Sequence, residues 1–303
     1  MDARTRTTTM EIDMPAFPTL DGRTVFLTGA ASGIGAAAAR TLVAAGANVA
    51  LVDLRAPEAL AAELGPRTLA LAGDVTSSDD MNAAVARTLD AFGAIDVCFA
   101  NAGIAAAQPT TILASPVDEF ERILEVDLLG VWRTVRACLP HVVDAGGHVL
   151  VTASIYAFFN GVANAPYAMS KAAVEAFGRA LRAELAGTGA TAGVLYPGWI
   201  ATPIIEASHR AGTPANELVE LANPGPLGRT ITPERLAQDI VRGITARRAR
   251  IVSPRRWVPL MVARGPFGMV MDAVIDRTGR IQNLIRQVED EARALLTRPD
   301  RSQ

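Results

Sequence analysis

Residues 25–35, Val-Phe-Leu-Thr-Gly-Ala-Ala-Ser-Gly-Ile-Gly, constrain this chain more than any other stretch. Val25 to Thr28 makes a short buried strand, and an alanine-rich helix runs from the last glycines to about Ala45. Between them, Gly29, Gly33 and Gly35 let the backbone turn tightly and let a pyrophosphate approach the helix N-terminus, where unpaired amides and the dipole favour anions. A glycine trio says little alone, but a second strand, Asn48 to Val52, follows and ends at Asp53, 20 residues after Gly33. A carboxylate there accepts from both hydroxyls of an adenosine ribose and repels a 2′-phosphate.

The alternation continues along the chain. A helix near 57–64 leads to a strand at 68–72 ending in Gly73-Asp74-Val75, and a helix from about Ser77 to Phe92 leads to a strand at 95–100 ending in Asn101-Ala102-Gly103. One long helix is expected near 115–139, a strand at 148–152, a helix around Tyr167 running to about Ala186, a strand at 190–195, and a seventh near 250–253. Apolar strands alternating with helices predict an α/β fold, a doubly wound, Rossmann-like parallel sheet with helices on both faces. Such sheets bind ligands beyond the carboxyl ends of their strands, where Gly29, Asp53, Asp74, Asn101, Ser154 and Pro197 all fall. The expected organisation is a flexible arm at 1–20, one catalytic domain at 21–254, and an amphipathic C-terminal extension at 255–303.

Composition excludes several classes. A net charge of −2 and a pI near 6.0 argue against a general nucleic-acid surface. Residues 1–20 lack the apolar stretch of a signal peptide, and no uncharged apolar run approaches a membrane span, so a cytoplasmic protein is expected. Cys98 and Cys138 lie in strong strand and helix patterns and are expected as core thiols; no residue is assigned to a metal.

Lys171 is the only lysine; arginine supplies the other 28 of the 29 basic residues. It lies four residues after Tyr167, on the same helical face. Lysine is a compact ammonium that can sit beside a phenol as a point charge, which the wide guanidinium fork cannot do as closely. A nearby ammonium favours phenolate, so the tyrosine pKa is expected to fall. Lowering it by roughly three units, from about 10, needs about 4 kcal/mol and would make Tyr167 an acid or base near neutral pH.

These motifs together resemble the short-chain dehydrogenase/reductase family over roughly residues 22–253. The family's T-G-x-x-x-G-x-G is matched by Thr28 to Gly35, its adenine-side aspartate by Asp74, its N-A-G by Asn101 to Gly103, and its Y-x-x-x-K by Tyr167 to Lys171. Ser154 stands 13 residues before Tyr167, as the family's catalytic serine does, and Pro197-Gly198 with Thr202 is similar to the segment that holds the nicotinamide amide. The resemblance implies hydride transfer between a nicotinamide and an alcohol or carbonyl. Ser154 would hold the substrate oxygen, Tyr167 would carry the proton, and Lys171 would hold the nicotinamide ribose. Gly29, Ser32, Gly33, Ile34, Gly35, Asp53, Asp74, Val75, Asn101, Ala102, Gly103, Tyr167, Lys171, Pro197, Gly198 and Thr202 would bind the cofactor. Where the family usually has asparagine in the long central helix, this chain has Asp127, which would support a water chain to Lys171 or pair with it.

NAD is favoured over NADP because Ser32 and Leu54 occupy positions where phosphate-preferring relatives are basic, with Arg55 one step too far on. Ile155, Tyr156, Phe158 and Phe159 after the serine, with Trp199, Ile200, Ile204 and Ile205 opening a lid-like insert from Gly198 to Gly228, point to an apolar secondary alcohol or ketone. Alternatives are an NADP-dependent 3-oxoacyl-type reductase and a non-catalytic dinucleotide-sensing protein. In the extension, Ile281, Leu284, Ile285, Val288, Leu295 and Leu296 recur at helical spacing opposite Arg286, Glu289 and Asp290, while Arg255-Arg256-Trp257 precedes apolar 258–262. Docking on its own or a neighbouring subunit is its expected use, and lying on a membrane surface the alternative. The resemblance also implies a homodimer or homotetramer joined through helices 115–139 and 165–186, with Ala172, Ala173, Ala176 and Gly178 permitting close approach.

Overall fold

The computed structural model describes residues 16–202, 213–222 and 225–296. Its centre is a seven-stranded sheet of β1 (Thr24–Thr28), β2 (Asn48–Asp53), β3 (Thr68–Ala72), β4 (Val97–Ala100), β5 (His148–Thr152), β6 (Thr191–Pro197) and β7 (Arg250–Ser253), in the order β3-β2-β1-β4-β5-β6-β7. Every pairing is parallel, so all carboxyl ends point one way. The chain winds outward from β1 in one direction, then returns to β4 and winds in the other, opening a crevice above the β1/β4 boundary.

Helices cover both faces because the central strands are apolar on both. On one face Phe26, Cys98, Val149 and Val194 meet α3 (Ser78–Phe92), α5 (Gly130–Asp144) and α6 (Ala165–Glu184) through Met81, Val135, Cys138 and Val174. On the other, Leu27, Leu51, Phe99 and Leu150 meet α1 (Gly33–Ala44), α2 (Glu58–Leu64) and α8 (Pro233–Thr245) through Leu42, Leu60, Leu236 and Ile240. Each such fully buried side chain contributes roughly 1.5–3 kcal/mol. The two free cysteines are buried in the first of these layers.

Several boundaries differ from expectation. Residues 16–20 are not a loose arm: Phe17 and Leu20 are buried, the Phe17 amide bonds Thr245, and the Arg23 and Arg247 guanidiniums lie over the Phe17 ring. Burial of Phe17 and Leu20, the backbone bond and the ring between two arginines together hold that segment on the core. The helix expected at 115–139 is three pieces: α4 (Val117–Leu124), a π-helical turn Glu125–Leu129, and α5, which runs on through Pro140 to Asp144. Gly178 faces the sheet, not a partner subunit, because a side-chain carbon there would lie 2.5 Å from Val194 Cγ2 and 2.9 Å from Val151 Cγ2.

The extension is α9 (Val258–Val262), α10 (Arg264–Arg277) and α11 (Gly279–Leu296). It docks on its own chain. Leu284 and Val288, with Ile281 and Ile285, pack against Ala163 and against Ala215 and Leu218 of α7 (Pro214–Ala222), while Thr111 donates to Glu289 at 3.0 Å. Arg264 pairs at 2.5 Å with the buried Glu175 of α6. The side chains of Leu295 and Leu296, like Ile204 and Ile205, lie outside what is described. On the outward side Val262, Met269, Val270 and Val274 are exposed, and no single helix among the described residues is long and apolar enough to cross a membrane.

Gly178→Val tests the orientation of α6. Overpacking against Val151 and Val194 is expected to lower the unfolding free energy by roughly 1–3 kcal/mol in a denaturant titration, whereas Ala176→Ser, on the exposed side of the same helix, should leave it within about 0.5 kcal/mol.

Candidate active site

A cavity of about 800 Å³ opens at the carboxyl ends of the central strands. Its floor is the loop from β1 to α1. Gly29 (φ +69°) and Gly33 (φ +53°) adopt conformations that L side chains rarely take. A side-chain carbon on Gly29 would come within 2.8 Å of Ala102 Cα, and one on Gly35 would overlap the Gly29 carbonyl oxygen. Ser32 precedes α1 but makes no side-chain cap, and the first turn carries no acid, so the amides of Gly33, Ile34 and Gly35 are left for an anion.

Strand ends bring the remaining groups. Asp53 closes β2 and accepts from the Ala31 amide at 2.9 Å and the Leu54 amide at 2.8 Å, which fixes its carboxylate beside the glycine loop. Asp74 accepts from the Thr76 amide and hydroxyl, both at 2.8 Å. Thr28 Oγ1 accepts from the Asn101 and Ala102 amides at 3.1 and 3.2 Å, and Asn101 donates back to the Thr28 carbonyl at 3.1 Å, tying β4 to β1. Val75, Gly103 and Thr202 complete the wall from the expected set.

Sequence reasoning missed Asp118, Glu121, Arg122 and Glu125, which also line the cavity. Their spacing of three, four and seven places them on one face of α4 and its π-turn, a visible pattern whose target only the fold reveals. With Asp53 and Asp74 they make a cavity wall of five carboxylates against two cations, Arg122 and Lys171. Ser154, Pro197 and Gly198 do not line it. Gly198 is instead required by the extension, since a side-chain carbon there would lie 2.5 Å from Trp257 Nε1.

At the inner end stand Tyr167 and Lys171 on α6. Ser154, extended at the end of β5, accepts from the Tyr156 amide at 3.2 Å and hydrogen-bonds Tyr167. The Tyr156 and Tyr167 rings meet edge to face with centroids 5.7 Å apart. Lys171 is 3% exposed, with Nζ 5.3 Å from the Tyr167 ring centroid and 2.9 Å from Asp127 Oδ2. That second contact is an ion pair without hydrogen-bond alignment; Lys171 aligns better with the Thr152 carbonyl, at 3.4 Å. Asp127 is fully buried on the π-turn, and its other oxygen accepts from the Ile104 amide at 2.7 Å. Such π-turns are frequent at functional sites. Gly103 is small because a side-chain carbon there would press on Lys171 Nζ at 3.2 Å and on both Asp127 oxygens at 3.4 Å.

The electrostatics overturn one expectation. Burial raises the Tyr167 pKa above its ordinary value; Lys171 and the Ser154 hydrogen bond oppose this, but Asp127 reinforces it. The sole ammonium is already half-spent on a carboxylate. Burial pushes the Lys171 ammonium down, yet Asp127 and Tyr167 more than reverse it, so its pKa is raised. Burial also raises Asp127, against the pull of Lys171 and the Ile104 amide. The 2.9 Å approach of Lys171 to one Asp127 oxygen and the Ile104 amide on the other favour the charged pair.

Comparisons with known proteins agree with this geometry. Residues 23–211 match the family model described as short chain dehydrogenase. Cis-4-hydroxycyclohexanecarboxylate dehydrogenase of Sinomonas cyclohexanicum is 36% identical over 72% of this chain and 87% of its own. The 2-(R)-hydroxypropyl-CoM dehydrogenase of Xanthobacter autotrophicus is 34% identical over 61% of this chain and 77% of its own. Among solved structures, 3-ketoacyl-(acyl-carrier-protein) reductase from Brucella melitensis, complexed with NADH, superposes with a TM-score of 0.68 at 28% identity, covering 78% of this chain and 99% of its own.

Gly35→Ala is expected to displace the Gly29 carbonyl and distort the anion cradle. Overpacking of roughly 1–3 kcal/mol corresponds to about five- to 150-fold weaker dinucleotide binding by calorimetry. Unchanged affinity would mean that the loop does not hold the cofactor.

Proposed function

This chain belongs to the short-chain dehydrogenase family, oxidoreductases acting on an alcohol or its carbonyl with a nicotinamide cofactor, and on that premise we propose that it is an NAD-dependent dehydrogenase or reductase of an apolar secondary alcohol or ketone. The observation that carries the reading is that Tyr167 and Lys171 line a dinucleotide-sized cavity together, with Ser154, outside that lining, hydrogen-bonded to Tyr167. Bound there, the cofactor would exchange a hydride with the substrate carbon. Ser154 holds the substrate oxygen, and the Tyr167 hydroxyl gives that oxygen a proton in reduction or takes it in oxidation. Lys171 supplies donors to the ribose and a positive charge beside the phenol. The intact set weighs against a binding protein without turnover.

Cofactor preference rests on charge. Asp53 would face an added 2′-phosphate, the cavity wall carries five carboxylates, and Arg55 is not part of it. That wall disfavours NADP. The apolar substrate is supported by Tyr156, whose ring meets Tyr167 edge to face and belongs to an apolar cluster with Ile155, Phe158, Phe159 and Trp199 that Trp257 and Leu260 of the extension pack. The names of two of these relatives, dehydrogenases of cis-4-hydroxycyclohexanecarboxylate and of 2-(R)-hydroxypropyl-CoM, fit a secondary alcohol.

The proposed homo-oligomer uses the outward faces of α5 and α6. Leu129, Trp132 and Met169 are exposed there, and Ala172 and Ala176 on the same helix are small and exposed. Trp132→Glu is expected to convert the assembly to monomers at micromolar concentration by light scattering; a monomeric parent protein would refute the interface.

Two measurements test the chemistry. Calorimetry should show tighter binding of NAD(H) than NADP(H), the gap shrinking in Asp53→Ala; equal or better NADP(H) affinity sinks the assignment. On a panel of lipophilic secondary alcohols and ketones, Lys171→Arg should lose about 100-fold or more in turnover although the charge is kept, because a guanidinium misplaces both the donors and the positive centre.

A further inference from the structure

Asp127 bears on the direction of the reaction, an inference that rests on Tyr167 being the proton carrier. Lys171 touches two groups: the neutral carbonyl of Thr152 and the carboxylate of Asp127. Asp127 is fully buried, so water does not screen the pair. An unpaired ammonium 5.3 Å from the Tyr167 ring centroid would favour phenolate by roughly a hundredfold at a protein-like dielectric. A carboxylate 2.9 Å from that ammonium turns the point charge into a short dipole, whose field at the phenol is far weaker. Tyr167 is otherwise faced by the hydroxyl of Ser154 and, edge to face, by the ring of Tyr156, itself a buried phenol. No other cation among the described residues bears on it.

We propose that Asp127 is a positioning residue that neutralises Lys171 and so holds Tyr167 as the protonated phenol at neutral pH, making this protein a carbonyl reductase there and an alcohol dehydrogenase only under alkaline conditions. Reduction consumes the phenol proton: as hydride reaches the carbonyl carbon, the oxygen takes the proton from Tyr167, and the phenolate regains one from solvent. Oxidation needs the phenolate before it can start. The oxidised nicotinamide carries one positive charge and the reduced form none, so the state that precedes reduction adds nothing that would strip the phenol of its proton.

The test is an ultraviolet titration of tyrosinate in the cofactor-free protein, with Tyr167→Phe in each background to assign the step. Asp127→Asn keeps an oxygen for the Ile104 amide but loses the charge, so the Tyr167 step should move to lower pH. The pH–rate profile of oxidation should follow, each unit raising the phenolate fraction at pH 7 about tenfold, with substrate KM little changed. A Tyr167 step that stays in place or moves up in Asp127→Asn overturns the proposal. Should that variant fold poorly, Asp127→Ser serves: it too removes the charge beside Lys171, so its Tyr167 step should move down, and a step that stays in place or moves up overturns the proposal. Because the titration needs no turnover, it decides the role of Asp127 separately from the dehydrogenase reading, which absence of turnover in both directions would overturn.

Discussion

The rest of this structure depends on one constraint, that all seven strands run parallel. Parallel pairing forces each strand to be followed by a crossover, so both faces of the sheet are covered and the strands are apolar throughout. It also gathers every carboxyl end on one side. Thr28, Asp53, Ala72, Ala100 and Thr152 end their strands there, and the loops that follow carry the glycine cradle, Asp74, Asn101 and Ser154. Bonds between neighbouring ends, such as those joining Thr28 to Asn101, then lock the loops together.

Within that frame a charge pair is placed where water cannot reach it. Burying an ammonium and a carboxylate costs several kcal/mol per ion unless each is well paired. Here the cost is offset by the 2.9 Å contact, the Ile104 amide and the Thr152 carbonyl. The π-turn is part of the arrangement, since an extra residue in that turn changes which side chain faces α6. A lysine tied in this way polarises its tyrosine less than a free one.

The extension packs over the aromatic residues that follow Ser154. Trp257 fills the space above Gly198, Phe267 of α10 meets Phe159 with ring centroids 5.5 Å apart, and Arg264 ties α10 to Glu175, one helical turn beyond Lys171. The aromatic residues after Ser154 are therefore packed by the tail and not left as an open groove. Glu175 is buried, and Arg264 at 2.5 Å is its nearer cation, with Arg179 at 3.9 Å, so the tail and α6 are energetically linked.

Much of this was legible in the chain itself. Periodicity placed all seven strands to within two residues at either end, because apolar strands and amphipathic helices follow from local geometry. The glycine loop, Asp53 and the Tyr167–Lys171 pair were legible because their chemistry is encoded in short spacings. What required the tertiary structure was anything set by residues distant in sequence. Lys171 and Asp127 are 44 positions apart, and only the fold shows that they touch and that Tyr167 is buried; burial first, with Asp127 adding to it, reverses the expected direction of the Tyr167 pKa. The carboxylates of α4, the inward face of Gly178, the capture of Phe17 by Arg23 and Arg247, and the docking of α11 on α7 are of the same kind. Each depends on which surfaces pack together, and helical or strand periodicity says which face is buried without saying against what.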